Sequence, residues 1–358
     1  MKKIFALFIS LLLLCGCSDT AKDTAEPTIN PDLPPSESLT LEEKVGQLFM
    51  VRCDSVTTQS IKELQPGGII MFASDFNGLS KSEVQSKINS FNDMLKVKPY
   101  IAVDEEGGTV VRVSSNPGLA PEKYESPQYY YNEGGMELVL KKETEKSELL
   151  TSLGINMNLA PVVDVSQNPE SFIYDRTLGK GAEETASFAE KVVAVMDEHN
   201  IASCLKHFPG YGENDDTHVV KISNDNRPLS EFRQNDFLPF IAGINAGADA
   251  VLVSHNIITA VDTSLPATLS KPVHDILRNE LAFDGIIITD DMAMAAAENY
   301  EKPYKTAILA GNDMVIVTDF VTAYNEVIEA VRNGEIPEAM IDAAVNRIIK
   351  AKAGKGII

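Results

Sequence analysis

At 358 residues, with 44% hydrophobic and 7% aromatic, the chain is long for one average domain but normal for an α/β barrel. A formal net charge of −21 excludes nucleic acid and an anionic membrane surface as expected partners. An acidic surface speaks for solubility and names no substrate.

In chain order, Lys2 and Lys3 precede an apolar run from Ile4 to Leu14, too short for a stable bilayer span. The run closes on Leu14-Cys15-Gly16-Cys17, which resembles a bacterial lipobox. Residues 1–17 are therefore expected to be a lipoprotein signal with Cys17 acylated; an ordinary cleaved signal peptide is the alternative. Acyl chains at Cys17 would supply the anchors that membrane attachment needs, placing the protein outside the cytoplasm. From Ser18 to Leu39 the chain is rich in Thr, Pro, Asp, Glu and Ser without apolar periodicity, and reads as a disordered tether. Cys53 and Cys204 read as single buried thiols, with pairing as the alternative.

Folding is expected over 40–358, beginning where Thr40-Leu41-Glu42-Glu43 matches a capping box. Eight short apolar runs follow: Gln47 to Arg52, Gly68 to Phe72, Tyr100 to Val103, Ile155 to Val163, Ala202 to His207, Ala248 to Ser254, Gly285 to Thr289 and Met314 to Thr318. They are nearly continuous rather than alternating, as parallel strands covered on both faces should be. Helical spacing marks Lys81 to Leu95, Met136 to Leu153, Glu183 to His199, Ser230 to Ala246, Lys271 to Leu281, Thr322 to Asn333 and Pro337 to Ala353. Ala246-Gly247 and Ala310-Gly311 fit helix C-termini. The alternation predicts a single (β/α)8 TIM-type barrel; a doubly wound open sheet is the alternative, because alternation alone does not show closure. Asp104, Asp164, His207, His255, Asp290 and Asp319 all fall at or just after the C-terminal ends of apolar runs. In a barrel those ends share one mouth, where active sites are built.

Two segments carry candidate chemistry. Asp290 emerges from the strand run Gly285 to Thr289, and Met292 to Ala295 is expected to start a helix. One of Asp290 and Asp291 then reads as an N-cap and the other as a nucleophile facing the pocket. Lys206 and His207 end another strand, and Phe208-Pro209-Gly210-Tyr211-Gly212 opens a loop that carries Asp216-Thr217-His218. A carboxylate two residues before an imidazole can bond its Nδ1 and fix the tautomer, so His218 can give a proton to a leaving oxygen. Coincidental charges on a surface loop are the alternative. The five histidines form no His-x-His or His-Glu-x-x-His pair, and the glycines match no P-loop or dinucleotide fingerprint, so no metal or nucleotide cofactor is expected.

Several segments taken in order resemble glycoside hydrolase family 3, in particular its single-barrel, NagZ-type β-N-acetylglucosaminidases. They are Val45-Gly46-Gln47-Leu48, Ala102 to Gly108 with Arg112, Gly154 to Asp164, Asp175-Arg176-Thr177-Leu178-Gly179, Lys206 to Gly210, Pro266 to Ser270 and Thr289-Asp290-Asp291-Met292. The resemblance implies Asp290 as nucleophile, His218 with Asp216 as an acid–base dyad on a mobile loop, and Asp104, Arg112, Arg176, Lys206 and His207 as residues that hold the terminal sugar. It implies an exo-acting, retaining hydrolase that releases terminal N-acetyl-β-glucosamine. The outward-facing tether points to glycan scavenging or wall turnover outside the cell, and a monomer is the simplest reading of a tethered barrel. Absence of Trp fits recognition of one or two sugars rather than a long chain. The chain departs from many relatives in carrying Tyr211 where they carry His, and in a slightly shorter loop from Pro209 to His218. The alternatives are a β-glucosidase-like exo-glycosidase, phosphorolysis in place of hydrolysis, and a sugar-binding lipoprotein without turnover.

Overall fold

Each of the eight apolar runs contributes a strand in the computed structural model, which describes residues 36–297 and 300–358. The strands are β1 (Phe49–Arg52), β2 (Gly68–Ile70), β3 (Tyr100–Val103), β4 (Met157–Asn158), β5 (Ala202–Phe208), β6 (Ala250–Val253), β7 (Ile286–Thr289) and β8 (Val315–Val317). Each is parallel to the next: Met50 pairs with Gly68, Gly68 with Tyr100, Ala102 with Met157, Met157 with Ala202, Cys204 with Ala250 and Ala250 with Ile286. Closure decides between barrel and open sheet. Phe49 pairs with Val315 across β1 and β8, and a parallel bridge between Ile288 and Met314 joins β7 to β8. The ring is complete.

The strands are apolar throughout because both faces are covered. Ile286, Ile287 and Ile288 are all fully buried, each worth about 1.5–3 kcal/mol relative to exposure. The run Ile155 to Val163 forms only the two residues of β4 as strand, because Pro161 has no N–H to give a neighbour.

The helices follow the expected pattern with local changes. Thr40 and Glu43 form the capping box of the helix Leu41–Gln47. The helix expected from Met136 begins earlier, at Pro127, with a break at Gly134 and Gly135 inside Pro127–Leu153. Ser230 to Ala246 divides into Leu229–Gln234 and Phe237–Asn245, and Lys271 to Leu281 becomes Lys271–Asp275 followed by a π turn, Ile276–Glu280. Two short helices, Thr58–Leu64 and Pro303–Ala310, were not foreseen.

The tether boundary also shifts. Ser36 and Leu39 are buried, and Ser36 Oγ bonds Asn346 on the C-terminal helix Glu338–Gly354. The packed part therefore includes residues assigned to the tether. Residues 1–35, with the lipobox and Cys17, lie outside the described residues. Among the described residues, no helix is long and apolar enough to cross a membrane. Cys53, just after β1, and Cys204, inside β5, are both free thiols.

Candidate active site

One wall of the barrel mouth is a compact charge network. Lys206 and His207 are consecutive, and a regular strand would send them to opposite faces. The pairing of β5 with β6 slips between Leu205 and Phe208, and both side chains reach the same cavity. Lys206 Nζ donates to Asp104 at 2.7 Å and lies 2.5 Å from Glu106. Arg176 grips both oxygens of Glu106 through one guanidinium edge, Nε at 2.9 Å and Nη2 at 2.8 Å, and Arg112 lies 3.6 Å from Asp104. Burial alone would raise the Glu106 pKa, yet Arg176 and Lys206 hold it well below the usual carboxylate range. Burial pulls Lys206 the other way, and Asp104 and Glu106 outweigh it, so the amine stays charged.

His207 is oriented from both sides. Arg176 Nη2 lies 3.2 Å from Nε2, and a guanidinium can only donate, so Nε2 accepts. Nδ1–H then donates to Asp164 Oδ2 at 2.7 Å. Asp164 is fully surrounded: its Oδ2 also accepts the His207 N–H, and its Oδ1 accepts the Tyr211 N–H at 2.7 Å. A fixed row of charged donors and acceptors suits the vicinal hydroxyls of a sugar.

Asp290 sits opposite, directly after β7. Its own N–H donates to Val253 O at 3.0 Å, and its Oδ1 accepts the Asp291 N–H at 2.9 Å. Burial would raise its pKa; His207, His255, His218 and the Asp291 N–H outweigh burial and leave it below the ordinary value. His255 backs this corner. Its Nε2 donates to the Asp291 carbonyl at 3.1 Å, its Nδ1 is 2.7 Å from Thr268 Oγ1, and burial keeps its pKa low.

The expected helix at Met292 to Ala295 does not form. The Met292 N–H donates to Ile316 O at 3.1 Å, which ties the segment to β8 and leaves a series of turns. Neither aspartate is therefore an N-cap; Asp291 Oδ1 closes a turn by accepting the Ala293 N–H at 3.0 Å. Asp319 is the residue with the bland role: it caps the helix Phe320–Arg332.

The loop after β5 brings in the third element. Gly210 has φ of 122°, and a Cβ there would come within 2.3 Å of Asp236 Oδ1, so only glycine fits the turn. The loop's far end is pinned by a two-residue parallel pairing of Asn224–Asp225 with Ile257–Ile258. Between these anchors, His218 Nδ1–H donates to Asp216 Oδ1 at 2.8 Å, and the His218 N–H donates to the same oxygen at 2.9 Å. The His218 side chain is 57% exposed, which leaves Nε2 open to a ligand.

Asp104, Arg112, Arg176, Lys206, His207, His218 and Asp290 all line one cavity of about 610 Å³, with Asp216 behind His218. Apolar side chains complete the lining: Ile70, Leu159, Leu252 and Ile316, from or just after alternate strands around the ring, and Phe72. Arg52 stacks 4.2 Å over Phe72 and lies 3.8 Å from Asp291. Glu106 is a site residue that the sequence reading does not single out, although it lies within Ala102 to Gly108. The excess of cations over assigned carboxylates was the signal that could have found it. Asp164 and His255 were seen at the rim without a role, because each acts through a neighbour. Among the described residues, no group of three or more His, Cys, Asp or Glu is placed to hold a metal ion.

The "Glycosyl hydrolase family 3 N terminal domain" profile matches residues 40–351. The chain belongs to glycosyl hydrolase family 3. A beta-hexosaminidase of Hydrogenovibrio crunogenus is 30% identical over 309 residues, covering 81% of this chain and 85% of that protein. A solved family 3 beta-N-acetylglucosaminidase from a Paenibacillus species superposes with a TM-score of 0.83 at 30% identity over 89% of this chain. This chain spans only 63% of that protein. A beta-N-acetylhexosaminidase from Beutenbergia cavernae matches over 88% of this chain and 98% of its own, with TM-score 0.77 and 29% identity.

Proposed function

We propose that this family 3 glycoside hydrolase releases terminal N-acetyl-β-glucosamine from glycans by a retaining mechanism, with Asp290 as nucleophile and His218 as acid and base. The observation that carries the reading is the pairing in one cavity of a buried carboxylate held below its ordinary pKa and an imidazole braced by a carboxylate. The names of the relatives supply the sugar.

In the first step an Asp290 oxygen bonds to the anomeric carbon as the glycosidic C–O bond breaks. The proton on His218 Nε2 passes to the departing oxygen, leaving a neutral ring whose Nδ1–H still points at Asp216. In the second step Nε2 takes a proton from water as the water oxygen bonds to the anomeric carbon, and the Asp290 carboxylate leaves. Asp104, Glu106, Arg176, Lys206 and His207 would hold the ring hydroxyls meanwhile. This exo action on one terminal sugar suits wall fragments or other glycan ends, approached from a protein anchored through Cys17.

Asp290→Asn tests the reading. On an aryl N-acetyl-β-glucosaminide, kcat/KM should fall by about three decades or more, as loss of a covalent nucleophile implies. Undiminished turnover would falsify the assignment, and absence of turnover in the wild-type protein would favour a sugar-binding role.

A further inference from the structure

We propose that Tyr211 is a positioning residue for proton transfer, its phenol hydroxyl clasping Thr217 so that the turn carrying His218 is held at the cavity mouth. The inference rests on the reading of His218 as acid and base, and adds a residue to which that reading assigns no part.

The dyad has little to hold it. His218 is largely exposed, and among the described residues its side chain bonds only to Asp216 two residues earlier, so the pair steadies itself without fixing where it sits. Thr217, between them, is fully buried, whereas Glu213 to Asp216 and His218 to Val220 are all at least partly exposed. Asn214 bonds Asp225 and Ser223 Oγ bonds the Asp215 carbonyl at the flanks of the turn, but next to His218 the buried anchor is Thr217, and Tyr211 is what it is anchored to. The Thr217 N–H donates to Tyr211 Oη at 3.1 Å, and Oη lies 2.5 Å from Thr217 Oγ1. With Oη accepting one bond, its proton is free to be donated to Oγ1. Burial raises the Tyr211 pKa, which keeps that proton in place.

Tyr211 is itself rigid. It is 2% exposed, its ring meets Phe172 and His207 edge-on at 5.0 and 5.5 Å, and its N–H donates to Asp164 Oδ1. Asp164 therefore orients His207 through one oxygen and, by way of Tyr211, the His218 turn through the other. The sugar-holding wall and the proton donor share one buried carboxylate. A histidine at position 211 would lack the reach of a phenol hydroxyl, so the clasp belongs to chains with Tyr here.

Tyr211→Phe removes the hydroxyl alone, keeping the ring contacts and the N–H to Asp164. The test compares kcat/KM, which reports the first bond-breaking step, for phenyl and 2,4-dinitrophenyl N-acetyl-β-glucosaminides. Phenoxide needs protonation to leave and dinitrophenoxide does not. Acid assistance is worth about 10²–10⁴-fold, so loosening its donor should cost the phenyl substrate about tenfold. The dinitrophenyl substrate should lose less than about twofold, and the inhibition constant of free N-acetylglucosamine should stay within about twofold. Thr217→Val removes the other half of the clasp and should reproduce the pattern, also serving if Tyr211→Phe does not fold. In a His218→Ala background, Tyr211→Phe should add nothing. Equal losses on both substrates, or none on either, would overturn the proposal. Failure of the underlying reading shows separately, as a His218→Ala variant that loses no more on phenyl than on dinitrophenyl.

Discussion

Replacing Glu106 by Gln removes one negative charge from the centre of the site while keeping its shape. Glu106 is 2% exposed in its side chain and faces Arg176 at 14% and Lys206 at 3%. In the variant Lys206 keeps Asp104 at 2.7 Å, but the amide keeps an acceptor for only one of the two Arg176 N–H groups and turns its own donors toward the other. Deleting one partner of a buried ion pair costs about 3–5 kcal/mol. The surviving Asp104 contact places the expected loss near the lower end, about 3 kcal/mol. For a chain of this size that lowers Tm by about 4–5 °C. Misaligned Arg176 and Lys206 should also weaken inhibition by N-acetylglucosamine about tenfold, equivalent to about 1.4 kcal/mol. The sign with pH follows from the depressed carboxyl. Its contribution is present above the unfolded pKa and is lost as pH falls through the lower folded pKa. The stability gap between wild type and Glu106→Gln, read from urea midpoints, should be flat from pH 8 to 5 and close only well below pH 4. A gap under about 1 kcal/mol, or one already fading between pH 6 and 5, would refute the reasoning.

Two further expectations concern other parts of the molecule. Lys352 is fully buried with Gln47 Oε1 at 3.0 Å and the Tyr100 ring at 5.4 Å, and burial brings its pKa down to about 7. Between pH 7 and its ordinary value the unfolded chain binds more protons, so stability should rise with pH, by about 2–3 kcal/mol from pH 7 to 9. Lys352→Met should abolish that rise in urea titrations; an unchanged slope would count against a neutral buried amine. Cys17→Ser should move the protein from the detergent-extracted membrane fraction to the soluble one with kcat/KM unchanged. Retention on the membrane would dismiss acylation at Cys17 as the anchor.

Much of this molecule is written locally. Eight runs such as Tyr100 to Val103 and Gly285 to Thr289 are apolar at consecutive positions, and only a strand covered on both faces tolerates that. Asp290, His218 and the sugar-side cations could be named because they stand at strand ends or loops within segments that resemble a known family. Local pattern also misled. Met292 to Ala295 has helical composition but forms turns, with the Met292 N–H bonded to β8 and the Ala293 N–H to Asp291 Oδ1. Ser36 and Leu39 look like tether and are packed, because Ser36 finds Asn346 some 300 residues away on the C-terminal helix and Leu39 joins the main core.

What only the tertiary structure decided is closure and pairing. Nothing in the runs near Ile288 and Met314 announces the bridge that turns an open sheet into a ring. Nor does any spacing reveal that Glu106 neutralises Arg176 and Lys206, or that Asp164 serves both His207 and Tyr211. Residue type and periodicity are properties of neighbours along the chain, so they determine the elements. Which charges meet depends on contacts between residues a hundred or more positions apart, such as Asp104 with Lys206 and Arg52 with Asp291, and those exist only once the barrel has closed.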